Sequence, residues 1–160
     1  AGAVDERAAD FLRARASVVA PHLPLTVLSG QSTRLLAAAD VALLASGTIT
    51  LEAALSGTPA VVAYRLAPIS FWWMRRAVKV PHVALPNLLL GQRLLPEFLQ
   101  HEATPAALAG ALQAWLADAD RRQAYRAQCG VLHQQLRVDS GDAAVAAIER
   151  LLERLAGSGR

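Results

Sequence analysis

One segment contains a strand, a turn and the start of a helix in direct succession: Ala42-Leu43-Leu44-Ala45-Ser46-Gly47-Thr48-Ile49-Thr50-Leu51-Glu52-Ala53-Ala54-Leu55. The apolar run 41–45 is too short for a free-standing helix, and its end at Ser-Gly predicts a fully buried parallel strand. After Gly47 the spacing becomes helical, because Leu51 and Leu55 can share one face. The segment therefore predicts a β–turn–α unit.

This turn has the geometry of an anion site. The first N–H groups of a helix have no intrahelical partner, and Gly47 lets the backbone approach a ligand closely. Ser46, Thr48 and Thr50 supply hydroxyls, and Glu52 can either stabilise the helix dipole or accept hydrogen bonds from a sugar. From the turn alone, a capped helix without a ligand and a phosphate site both stay open.

Helices and strands alternate through the first sixty-odd residues, and this pattern indicates a Rossmann-like parallel α/β sheet with flanking helices. Helices are predicted over 5–20, 33–39 and 48–55, and strands over 25–28, 41–45 and 60–64. Further along, the sequence predicts a short strand at 83–85 and helices at 94–100, 104–116, 119–136 and 141–155. Gly157-Ser158-Gly159 is predicted to be a frayed tail, so residues 141–160 are expected to be a C-terminal helix and tail.

Length and composition set the class of protein. A chain of 160 residues, 54% hydrophobic and 18% charged, is long enough for one globular domain with a sizeable core. The net charge of +3 suits phosphates or an anionic membrane surface and is too small to indicate nucleic-acid binding. The chain begins Ala-Gly-Ala rather than with Met, and we expect residues 1–160 to be a single, partial domain of a longer protein.

A segment rich in aromatic residues and cations follows the strand at 60–64. It contains Phe71, Trp72, Trp73, Arg75, Arg76 and Lys79. One interpretation is an amphipathic helix packed on its own core. The other is an interfacial helix that contacts an anionic membrane, because two adjacent tryptophans cannot both lie on one narrow buried face.

The residues by themselves indicate no catalytic centre. The four histidines lack metal-ligand spacing, no metal site is predicted, and Cys129 is expected to be an inert core thiol. Asn87 is predicted at the exit of the 83–85 strand. That position is either a turn or a place at the carboxyl edge of the sheet where an amide contacts a ligand.

Several segments, in order, resemble the C-terminal half of the lipid-A-disaccharide synthases. They are Leu43-Leu44-Ala45-Ser46-Gly47-Thr48 with Leu51-Glu52, Ala63-Tyr64-Arg65 before Pro68, Phe71-Trp72, Leu85-Pro86-Asn87-Leu88-Leu89 with Gly91, Pro96-Glu97-Phe98-Leu99-Gln100, and Leu132-His133-Gln134-Gln135-Leu136. Ser-Gly-Thr…Glu is shared by many GT-B glycosyltransferases, whereas the other motifs in this order are specific. The resemblance covers roughly residues 25–155.

The resemblance implies the C-terminal, nucleotide-binding domain of a GT-B glycosyltransferase. Such an enzyme transfers diacylglucosamine from UDP-2,3-diacylglucosamine to 2,3-diacylglucosamine 1-phosphate and releases UDP, with no cofactor. Ser46, Gly47 and Thr48 would contact the diphosphate and Glu52 the ribose. Tyr64, Arg65, Asn87, Glu97 and Gln100 would line the same cleft. The family's Gly-Ser-Arg motif and its N-terminal domain, where the catalytic base is expected, do not occur in this chain, so we expect it to be inactive alone.

The resemblance also implies a location and partners. Acylated substrates predict a cytoplasmic protein held peripherally on the inner face of the bacterial inner membrane, and a homodimer is compatible with the sequence. Two other functions stay open. The first is a UDP-sugar-binding domain of another GT-B enzyme, such as an N-acetylglucosaminyl transferase or a UDP-GlcNAc epimerase. The second is a non-catalytic α/β module that contacts lipid.

Overall fold

The computed structural model describes residues 1–66, 82–137, 145 and 148–150. Its elements in chain order are β1 (Gly2–Ala3), α1 (Glu6–Val19), β2 (Leu28–Ser29), α2 (Ser32–Ala38), β3 (Ala42–Ala45), α3 (Thr48–Leu55), β4 (Ala60–Tyr64), α4 (Leu85–Leu90), β5 (Glu97–Leu99), a 3₁₀ turn (Gln100–Glu102), α5 (Pro105–Ala117) and α6 (Ala119–Leu136). The aromatic and basic segment, with Phe71, Trp72, Trp73, Arg75, Arg76 and Lys79, lies outside the described residues. So does most of the predicted C-terminal helix and tail.

The described strands form two parallel sheets. β1 pairs with β2, and a second sheet has the order β3-β4-β5. In the second sheet Leu43 is in register with Val61, and Val62 with Glu97. Parallel pairing with intervening helices confirms the predicted α/β class.

The core lies around β4. Ala60, Val61 and Val62 have no exposed surface, and Leu95 and Leu132 pack in the same cluster. Such burial of a central parallel strand needs helices on both faces. Within the described residues, α5 contacts β3 and β4, while α3 packs against α4 and α6.

A pair of aromatic rings joins the last two described helices to the core. The rings of Trp115 and Tyr125 meet edge to face with centroids 5.4 Å apart, and the Arg121 guanidinium lies 4.0 Å from the Trp115 ring centroid. The Tyr125 hydroxyl donates a hydrogen bond to the Thr58 carbonyl at 3.1 Å. Residues 119–136 are helical as predicted.

Two predicted elements are wrong. Residues 83–85 are not a strand. The Val83 and Ala84 N–H groups bind a carboxylate, and helix α4 begins at Leu85 with Pro86 in its first turn, where proline is favoured. Residues 94–100 are not a helix, because Glu97–Leu99 pair with β4. A strand of three residues carries no periodic signal, and tertiary pairing decides its state.

The predicted burial of β3 is also wrong. Leu43 is 50% exposed and Ala45 is exposed, whereas Ala42 and Leu44 are half-buried. The reason is the position of β3 at one edge of its sheet, with β4 on one side alone. The predicted strand at 25–28 is reduced to Leu28–Ser29, while the helix over 48–55 and the strand over 60–64 are confirmed.

Candidate functional site

The turn after β3 has an open backbone at the start of α3. Gly47 has φ 141° and ψ −167°, a conformation that side chains with a Cβ rarely adopt. A Cβ at Gly47 would meet no atom within 4 Å, so a side chain would have room here. It is the backbone φ angle that favours glycine at this position. No side chain caps α3, which leaves its first N–H groups available at an exposed turn.

The hydroxyls predicted at this turn have different surroundings. Thr48 is exposed. Ser46 donates to the Val83 carbonyl at 3.2 Å. Thr50 has no exposed surface, donates to the Gly47 carbonyl at 2.8 Å and accepts from the Leu85 N–H at 3.3 Å. Thr50 therefore holds the turn from inside, and its hydroxyl is not presented at the helix entrance.

Glu52 is half-buried on α3 and faces the start of α2. Its Oε2 accepts a hydrogen bond from the Ser32 hydroxyl at 3.1 Å. Ser32 is the first residue of helix α2, and its side chain contacts Glu52 rather than capping the helix. Ser32 begins the helix that follows β2 and Glu52 lies in the helix that follows β3, so this bond joins α2 to α3.

Asn87 and Glu97 form a buried pair. Asn87 Nδ2 donates to Glu97 Oε1 at 2.9 Å and to the Leu95 carbonyl at 2.8 Å, and its Oδ1 accepts from the Leu95 N–H at 2.8 Å. Asn87 lies in α4 rather than at the predicted strand exit, and it has no exposed surface. Because Asn87 makes three hydrogen bonds to other protein groups, its role in this structure is to support the fold.

The Glu97 carboxylate holds the segment before α4. It is 7% exposed and accepts from the N–H groups of Val83 (3.1 Å) and Ala84 (2.8 Å), besides Asn87. His82 Nδ1 lies 3.8 Å from Glu97 Oε2. Since Ser46 binds the Val83 carbonyl, one network connects the Gly47 turn with β5 through residues 83 and 84.

A second group of predicted residues lies at the carboxyl ends of β4 and β5. Arg65 donates from Nε to the Gln100 carbonyl at 3.0 Å and from Nη2 to the Ala103 carbonyl at 3.2 Å. Gln100 has φ 51°, rare for a residue with a Cβ, and its Oε1 accepts from the Leu66 N–H. Its Nε2 is buried with no hydrogen-bond partner. Tyr64, the last residue of β4, is half-buried.

The nine predicted residues divide by exposure. Gly47, Thr48 and Arg65 are exposed, and Glu52 is half-buried. Asn87 and Glu97 are buried. Sequence reasoning missed Ser32 and the 83–84 backbone, because both contacts join residues far apart in the chain and no local pattern marks them.

Other reactive groups have ordinary structural surroundings. Cys129 is buried, and desolvation raises the pKa of its thiol, as expected for an inert core cysteine. Burial likewise raises the pKa of Tyr125. Across residues 1–66 and 82–137, no three histidine, cysteine or acidic side chains are grouped as metal ligands. In the same ranges no helix is long and apolar enough to cross a membrane.

Parallel strands, crossover helices and a glycine turn at the carboxyl edge define a Rossmann-like α/β domain. Comparison with known proteins gives the family. The sequence profile of the lipid-A-disaccharide synthetases matches residues 3–150, and the chain belongs to this family of GT-B glycosyltransferases.

Similar proteins carry the name lipid-A-disaccharide synthase. The chain is 47% identical over 136 residues to the one from Sodalis glossinidius, a match that covers 85% of this chain and 36% of the relative. It is 52% identical over 132 residues to that of Pseudomonas syringae pv. syringae, covering 82% and 34%. The match to that of Neisseria meningitidis is 45% over 126 residues, covering 79% and 33%. The chain therefore spans about a third of the length of these relatives.

Proposed function

We propose that this chain is the donor-nucleotide part of a lipid A glycosyltransferase. The whole enzyme would transfer diacylglucosamine from UDP-2,3-diacylglucosamine to 2,3-diacylglucosamine 1-phosphate. The acceptor hydroxyl attacks the anomeric carbon, the bond from that carbon to the diphosphate breaks, and UDP leaves with the electron pair. The hydroxyl proton passes to a base that we assign to the N-terminal half of the family polypeptide.

The observation that carries the proposal is the uncapped N-terminus of α3 beside a carboxylate. The N–H groups at Gly47 and Thr48 would bind the diphosphate, since an exposed helix N-terminus favours negative charge. Glu52 would accept hydrogen bonds from the ribose hydroxyls. The Ser32 hydroxyl, at 3.1 Å, holds one oxygen of that carboxylate in place.

The other predicted residues take supporting roles in this proposal. Arg65, just after β4, donates hydrogen bonds to the Gln100 and Ala103 carbonyls. It therefore holds the turn after β5, which contains Gln100, against the end of β4. Asn87 acts through Glu97, which fixes residues 83 and 84 under the Gly47 turn. The relatives' names favour this function over a domain of another GT-B family or a non-catalytic lipid module.

The test compares UDP binding to the wild-type chain with binding to Glu52→Gln by calorimetry. Losing a charge-assisted hydrogen bond costs about 1.5–3 kcal/mol, so affinity should fall about ten- to a hundredfold. Asp120→Asn is the matched control, because it removes an exposed carboxylate from the first turn of another helix, α6. Equal UDP binding by wild type and Glu52→Gln would remove Glu52 from the site.

Membrane association is a second part of the proposal. It rests on the sequence of residues 71–79, where aromatic side chains adjoin three cations. Each cation contributes about 1 kcal/mol near an anionic surface, so binding should be reversible and weaker at high salt. In co-sedimentation with anionic vesicles, Trp72→Ser/Trp73→Ser and Arg75→Glu/Arg76→Glu should each reduce binding. If the folded variants sediment as well as the wild type, residues 71–79 pack against protein and do not bind the membrane.

A further inference from the structure

Gln100 has a rare backbone conformation directly after β5. Its φ is 51°, and among the described residues no other residue with a Cβ has a positive φ. A left-handed backbone at such a residue costs free energy and persists where surrounding contacts hold it. Residues of this kind are frequent at ligand clamps and switch regions, so the conformation of Gln100 calls for a functional explanation.

Arg65 holds the main chain of Gln100 in this conformation. Its Nε donates to the Gln100 carbonyl at 3.0 Å, and the Ala103 N–H donates to the same oxygen at 3.3 Å. Because Nη2 of Arg65 also donates to the Ala103 carbonyl at 3.2 Å, one guanidinium spans the whole 3₁₀ turn. The direction in which the Gln100 side chain leaves the backbone is therefore fixed from β4.

The side-chain amide of Gln100 is much less well satisfied than its main chain. Oε1 accepts from the Leu66 N–H at 3.3 Å, which is long for a hydrogen bond of this type. Nε2 is buried, and no group in the described part of the chain accepts a hydrogen bond from it. A buried donor without an acceptor is unfavourable, so this amide would gain from an outside acceptor.

Gln100 lies at the same edge of the sheet as the Gly47 turn. Ala45 is in register with Ala63, and Ala63 with Phe98, so β3, β4 and β5 end at nearly one level. Two residues beyond this level come Gly47, Arg65 and Gln100. Neighbouring strands are about 4.8 Å apart, which places Gln100 roughly 10 Å from the Gly47 turn, across the end of β4.

We propose that Gln100 recognises the sugar of a bound nucleotide sugar, through a side chain that rotates outward when this ligand binds. A diphosphate at Gly47 carries the sugar on its terminal phosphate, and one sugar ring with one glutamine side chain bridges the remaining distance. Oε1 leaves the Leu66 N–H, and Nε2 donates to a sugar oxygen, either a hydroxyl or an acyl carbonyl. Arg65 is a positioning residue that acts through the Gln100 main chain. This inference rests on the proposed function.

Amide NMR of the 160-residue chain tests the rotation with UDP, UDP-glucose and UDP-N-acetylglucosamine as ligands. UDP should shift Gly47 and leave the Gln100 side-chain amide unchanged, because its diphosphate carries no sugar. UDP-N-acetylglucosamine should shift both. It should also speed solvent exchange of the Leu66 N–H, which loses its acceptor. The same response to UDP-glucose would identify a hydroxyl as the sugar acceptor, and a response to UDP-N-acetylglucosamine alone would identify the acyl carbonyl.

A glycine variant measures what the amide contributes to affinity. Gln100→Gly should fold, because glycine adopts a φ of 51° readily. One net hydrogen bond changes a binding constant about two- to tenfold, so UDP-N-acetylglucosamine should bind this variant that much more weakly while UDP binds as before. His101→Ala is the matched control, since it removes an exposed side chain from the same turn and should leave both affinities unchanged.

A double-mutant cycle tests the role of Arg65. Arg65→Lys keeps the positive charge but cannot span the turn as the guanidinium does. It should reduce the affinity for UDP-N-acetylglucosamine in the wild-type background and have no further effect on it in Gln100→Gly. Equal effects of Arg65→Lys in the two backgrounds would show that Arg65 does not act through Gln100.

The outcomes separate this inference from the proposed function. The inference is wrong if UDP-N-acetylglucosamine shifts Gly47 without changing the Gln100 side-chain amide and the Leu66 N–H. It is also wrong if Gln100→Gly binds both ligands like wild type, or weakens both equally, and in each case nucleotide binding at Gly47 stands. If neither ligand shifts Gly47, both proposals fail. Should Gln100→Gly fail to fold, the NMR measurement on wild type still decides.

Discussion

Replacing Asn87 with alanine should destabilise the protein more than any change at the exposed turn. The side chain makes two hydrogen bonds with Leu95 and one with the Glu97 carboxylate, at 2.8–2.9 Å. Each neutral bond is worth about 1 kcal/mol and the bond to the carboxylate about 1.5–3 kcal/mol, so Asn87→Ala should cost roughly 3.5–5 kcal/mol. All three partners would be left in a buried site.

Urea unfolding followed by tryptophan fluorescence measures this loss. Gln92→Ala is the matched control, because Gln92 is an exposed amide just beyond α4 and should change stability by about 0.5 kcal/mol or less. A loss below about 1 kcal/mol for Asn87→Ala would refute the reasoning, since it would mean that the network does not hold residues 83 and 84. Asn87→Asp should also destabilise, because it places a second carboxylate against Glu97.

Two further predictions concern stability. Thr50→Val keeps the shape of a buried side chain but removes the hydroxyl that bonds to Gly47 and Leu85. The free energy of unfolding, measured in urea, should fall by about 1–3 kcal/mol. An equal fall for Thr48→Val, which changes an exposed threonine, would contradict this. Above about pH 10 the unfolded chain releases the Tyr125 proton while the fold retains it, because burial raises the pKa of Tyr125. Stability should therefore fall by up to about 1.4 kcal/mol per pH unit from this group, and Tyr125→Phe should show a shallower decline; parallel pH profiles would refute the assignment.

Local sequence predicted the part of the site that is contiguous in the chain. β3, Gly47 and α3 follow each other without a gap, and an apolar run, a glycine and a helical spacing are each visible in a few residues. The observed strand, turn and helix agree with the prediction because the backbone geometry of such a turn depends on neighbouring residues. The exposure of Leu43 was not predictable, because burial of a strand depends on which strands lie beside it.

Contacts between distant residues account for the errors. Glu97–Leu99 form a strand through pairing with β4, and the segment itself has too few residues for a period. Asn87 was placed at a strand exit, although Pro86 was a visible signal for a helix start. The contact of Ser32 with Glu52 spans twenty residues and follows from the packing of α2 beside α3.

In the proposed function, a nucleoside diphosphate binds at the Gly47 turn. Amide NMR of the 160-residue chain during titration with UDP measures this most directly. We predict weak, saturable shifts at Gly47, Thr48 and Glu52, because the exposed N–H groups of α3 and the adjacent carboxylate form the proposed site. Shifts confined to α6, or none at these three amides, would contradict it.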